Sequence, residues 1–134
     1  MDLKRIGLCL FVIGMFAFAA PAIAGTALPF GVTVGGQKAV LASPAAAFAK
    51  VPDPVAADAE LVVDTKEAMT IINIFDCDAQ GNVASSAVAS VLILQGTNKG
   101  KINKVMTGKP PKTGSHIMNI TAGAATARVF FKVR

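Results

Sequence analysis

His116 and Met118 stand two positions apart in the segment Gly-Ser-His-Ile-Met-Asn. In an extended chain alternate residues point to one face, so imidazole and thioether would lie side by side. That pair suits a soft copper ion, and Met106, Met69 or Cys77 could complete the set. The competing reading makes Met118 core filler and His116 a residue that closes a loop.

A second pairing is Cys77 with His116, the elements of a thiol nucleophile and its base. Asp76 and Asp78 flank the cysteine, and their negative charge opposes the thiolate such chemistry needs. The segment Asp76-Cys-Asp78-Ala-Gln80-Gly81-Asn82 also matches the first half of a calcium loop, with oxygen ligands alternating before a glycine. The twelfth position is Ala87 where a bidentate glutamate is required, so a turn closed by Asp and Asn side chains is expected instead. With one histidine and no tyrosine outside the first 24 residues, the chain is expected not to be an enzyme.

Charge is laid out in blocks. Beyond residue 24 all seven carboxylates fall between Asp53 and Asp78, against one base, Lys66, whereas residues 99–134 hold eight bases and no acid. Lys99, Lys101, Lys104, Lys109 and Lys112 are the candidate interaction residues for an anionic partner. The same layout permits self-association through complementary charged regions, or neutralisation within one molecule if the two blocks are neighbours. Nucleic acid is not expected as a partner, because no Trp or Tyr is present for base stacking.

These residues need elements to place them. Of 134 residues, 53% are hydrophobic and 16% charged, with formal net charge +5. Lys4 and Arg5 precede an unbroken run of apolar residues and glycines, Ile6–Ala20, which Pro21 ends ahead of Ala22-Ile23-Ala24. This is the layout of an export signal cleaved after Ala24, which predicts a periplasmic or secreted protein. The run is shorter than the ~20 residues a membrane span requires, so no span is expected once the signal is removed. Cys9 leaves with that segment, and Cys77 then has no internal disulfide partner and is expected to be buried.

Residues 25–134 are long enough for one domain. Short apolar runs recur between turn residues: Leu28–Val34, Lys38–Ala42, Glu60–Asp64, Ala68–Cys77, Ala87–Leu94, Lys101–Thr107, Ser115–Thr121 and Thr126–Val133. None holds a 3.6-residue period over three turns. Seven to nine short strands at near-regular spacing predict an all-β chain folded as an antiparallel sandwich.

The end of the chain adds a likeness. Lys109-Pro-Pro-Lys-Thr-Gly-Ser-His-Ile-Met-Asn-Ile120, followed by Ala-Gly-Ala and Thr126-Ala-Arg-Val-Phe-Phe-Lys-Val133, resembles the last hairpin of bacterial immunoglobulin-like domains. His116 stands where that family usually carries Tyr. The resemblance implies an immunoglobulin-like sandwich and no activity. The His116-x-Met118 pair is also similar to that of exported copper chaperones built on such a sandwich, which would imply a periplasmic copper-binding protein. The leading expectation is a non-catalytic binding, structural or assembly module of the cell envelope or extracellular space, needing no cofactor and meeting another protein there.

Overall fold

The computed structural model describes residues 28–134. The expected signal, residues 1–24, and its cleavage point lie outside the described residues. Among these there is no helix, and hence none long and apolar enough to cross a membrane. The described residues form nine strands: β1 Gly31–Val34, β2 Gln37–Lys38, β3 Ala49–Lys50, β4 Glu60–Asp64, β5 Met69–Asp76, β6 Ser90–Gln95, β7 Lys99–Lys101, β8 Gly114–Ala122 and β9 Ala125–Val133. They form a five-stranded sheet in the order β3-β9-β8-β5-β6 and a four-stranded sheet in the order β2-β1-β4-β7.

Period-two burial drives the arrangement. In β5, Thr70, Ile72 and Ile74 are buried while Ile71, Asn73 and Phe75 are half-buried, the alternation of a strand with one face on the core. Val32, Val34, Leu61 and Val63 from the smaller sheet join Ile72, Ile74, Leu92, Leu94, Met118, Ile120, Val129 and Phe131 from the larger in one cluster. Fully burying each such side chain contributes about 1.5–3 kcal/mol.

The outer face of the larger sheet carries a second, smaller packing. Phe75, Ile117 and Phe130 are register partners across β5, β8 and β9. Phe48 stacks on Phe130 at 5.6 Å between ring centroids. Gly81 lies directly against Phe48; a Cβ there would sit 2.5 Å from the ring.

Several expected strands are corrected. The Ala87–Leu94 run begins pairing only at Ser90, leaving Val88 86% exposed. The Lys101–Thr107 run is not a strand: β7 ends at Lys101, the chain turns, and Met106 and Thr107 return to Val91 on β6. Pairing is not wholly antiparallel either, since β3 runs parallel to β9, with Val129 opposite Ala49. Val51 and Val55 extend that line by donating their amides to the Phe130 and Lys132 carbonyls.

One buried polar group joins the sheets. Asn98, in the β6–β7 turn, adopts a left-handed φ of 55°. Thr70 on β5 donates its hydroxyl to Asn98 Oδ1 at 2.9 Å. Asn98 Nδ2 donates to the Glu67 carbonyl at 2.7 Å, and its carbonyl accepts from Val63 N on β4 at 3.0 Å.

Candidate functional site

The residues with chemical potential gather at one end of the larger sheet, where β5, β8 and β9 carry Asp76, His116 and Phe131 as one cross-strand row. Alternation along β8 puts Met118 on the same face as His116, between Ile74 and Val129 in the next row. Met118 is wholly buried in the core cluster.

His116 is 1% exposed and stacks on Phe131 at 5.3 Å. Its Nε2 is 2.6 Å from the Lys112 carbonyl; because a carbonyl only accepts, Nε2 carries the proton and donates. Its Nδ1 lies 3.0 Å from Asp76 Oδ1, but the approach is not aligned for a hydrogen bond. Both ring nitrogens therefore already face oxygens of the chain. Cys77 lies one position past Asp76 and so on the opposite side of the sheet, with its amide donating to the Ser115 carbonyl. Met106 is 68% exposed in the segment after β7, and Met69 opens β5 at the far end of that strand. The five residues are not drawn into one constellation. Among the described residues no group of three or more His, Cys, Asp or Glu could hold a metal ion.

Cys77 is half-buried rather than in the core. Burial pushes its thiol up from the ordinary value, Asp78 and Asp76 push it the same way, and Arg128 opposes them. Asp78 closes the following turn: Oδ1 accepts from Gln80 N and Asn82 N, both at 2.9 Å, and Oδ2 accepts from Asn82 Nδ2 at 3.1 Å. Those bonds, the Asn82 amide foremost, hold its carboxyl below the ordinary carboxylate range.

The charge blocks meet in the smaller sheet. Glu60 on β4 is opposite Lys101 on β7, and Lys101 Nζ lies 3.8 Å from Asp58. Lys99, on the same strand, is opposite Val62. Lys104 follows in the next turn. Lys109 and Lys112 are elsewhere, in the loop that enters β8.

That loop roofs a cleft of about 400 Å³. Its apolar lining comes from Ile74, Val88, Ala89, Pro110 and Pro111, and its polar lining from Asp76, Ser90, Lys109 and Lys112. Two bonds fix the loop. Ser90 Oγ donates to the Lys109 carbonyl at 2.5 Å, and His116 Nε2 donates to the Lys112 carbonyl. Gly108 makes the entry possible: its φ is +80°, and a Cβ there would lie 2.9 Å from Ser90 Cα. Between the two anchored lysines stand two prolines. Each X-Pro step confines the preceding residue to extended or polyproline conformations, so the bridge is stiff. The lysines were visible in the sequence as charge; the cleft was not, because its walls come from segments far apart in the chain.

Comparison with known proteins finds no matching family model, no similar curated protein and no similar solved structure.

Proposed function

We propose that this protein is a small exported, immunoglobulin-like sandwich that works by binding and not by catalysis. It serves as a structural or assembly module of the cell envelope or extracellular space. Its contact site is the cleft beneath Gly108–Lys112, which takes up an anionic group of an envelope or extracellular component. One observation carries the reading: both lysines of Lys109-Pro-Pro-Lys112 have their own carbonyls anchored, so the backbone that carries two cations is fixed at a largely apolar cleft before anything binds. Binding to a preformed site avoids the entropy of ordering it.

Export rests on the charged start, apolar run and small-x-small pattern of residues 1–24. The immunoglobulin-like reading is supported by the long β8–β9 hairpin and the two-sheet layout. The non-catalytic reading is supported by Cys77 and His116 lying on opposite sides of the sheet, with His116 Nε2 spent on a backbone carbonyl. Self-association through charge is less favoured, because Lys101 is drawn to Asp58 and faces Glu60 within one molecule.

The test is photo-crosslinking in intact cells of the native host. A benzophenone amino acid replaces Val88 at the cleft in one variant and Lys99 on β7 in another. A discrete adduct from position 88 and none from position 99 is expected. Adducts from position 99 alone, or from neither position, would overturn the assignment.

A further inference from the structure

The cleft's chemistry is divided, and that division points to a ligand class. Ile74 forms part of the floor, while Val88, Pro110 and Pro111 supply aliphatic wall. None of these four side chains offers a donor or acceptor. The polar groups are already committed in part: Ser90 Oγ is donated to Lys109, and Asp76 turns Oδ1 toward His116 Nδ1. The ammonium groups of Lys109 and Lys112 are in no ion pair among the described residues. Lys109 and Lys112 both line the cleft, one on each side of the two prolines. Two cations therefore belong to the lining of a partly aliphatic pocket.

Resting on the reading of this cleft as the contact site, we propose that its ligand is an aliphatic monocarboxylate. The chain packs against Ile74, Val88 and the two prolines, and the carboxylate is bound by Lys109 and Lys112. A volume of about 400 Å³ lies within the usual range for small-molecule sites. A polypeptide segment fits less well, because its amides and carbonyls would meet the aliphatic walls without partners. The two lysines outnumber Asp76, the one acid of the lining, so the local charge favours an anion.

Octanoate is the probe, titrated into isotope-labelled protein expressed with its own leader and purified after export. Saturable shifts are expected, centred on the amides of Ile74, Val88, Ala89 and Lys112. The K109A/K112A double substitution should weaken binding about tenfold, the loss expected for a charge-assisted contact. K99A/K101A, on β7, should leave it unchanged. 1-Octanol, with the same chain and no charge, should also bind about tenfold more weakly.

Because Lys109 and Lys112 are exposed, the double variant is expected to keep its strand spectrum. A Val88→Asp variant, which places a carboxylate at the rim, should give the same loss independently. The proposal is overturned by octanoate shifts that do not saturate, by equal binding of octanol, or by binding that survives K109A/K112A. A short peptide ending in a free leucine carboxylate that binds more tightly than octanoate would also overturn it, in favour of a polypeptide terminus. A cellular adduct at position 88 combined with indifference to octanoate rejects the ligand class and leaves the contact site standing.

Discussion

At the scale of single residues, the side chains best suited to chemistry are held in structural roles. His116 donates to the backbone of the loop that precedes its strand, and Met118 fills the core two residues on. The period of two that made them candidates for copper correctly puts them on one face; that this face is the sandwich interior depends on packing no local pattern encodes. Cys77 follows the same logic. Its neighbours Asp76 and Asp78 were legible as thiolate-opposing charges, and the expected burial is only partial but adds to them. At pH 7.5 the thiol is therefore expected to react with iodoacetamide more slowly than free cysteine does. Asp78→Asn should accelerate it; a Cys77 faster than free cysteine would refute that electrostatic picture.

At the scale of elements, β4 has the bounds its sequence suggests, and β5 is one residue shorter at each end, because each is a continuous apolar strand flanked by charged or small residues. Less legible are the runs whose pairing is decided elsewhere in the chain. Ala87–Ala89 has strand-like composition but no neighbour to pair with, whereas β3 is a strand of two residues only because β9 lies alongside. By its sequence neighbours Gly96 and Gly100, Asn98 is simply part of a turn. Its side chain instead joins Thr70 to Glu67 while its backbone reaches Val63. Asn98→Ala removes both side-chain bonds and leaves a buried Thr70 hydroxyl unpaired. A loss of about 2–3 kcal/mol in urea unfolding is expected, and a change below about 0.5 kcal/mol would show the bridge to be dispensable.

At the scale of the molecule, two layers of aliphatic side chains form the scaffold, and the loops at one end form the site. The all-β, two-sheet layout was foreseeable from recurring short apolar runs, and the parallel β3–β9 pairing was not. The cleft was not, since it requires the 102–113 segment to leave the smaller sheet, bridge to β6 at Thr107 and cross to β8. The charge blocks illustrate the same limit: their separation is plain in the chain, yet β4 and β7 turn out to be neighbours. Lys109 and Lys112, at the cleft, are in no ion pair among the described residues, and the proposed site requires the bridge between them to be anchored. The most direct measurement is the yield of the position-88 adduct when both anchors are removed by Ser90→Ala and His116→Phe, the latter keeping a ring against Phe131. A fall of about fivefold or more is expected with the strand spectrum retained, equivalent to about 1 kcal/mol of lost preorganisation. An undiminished adduct from the unanchored, folded protein would contradict it.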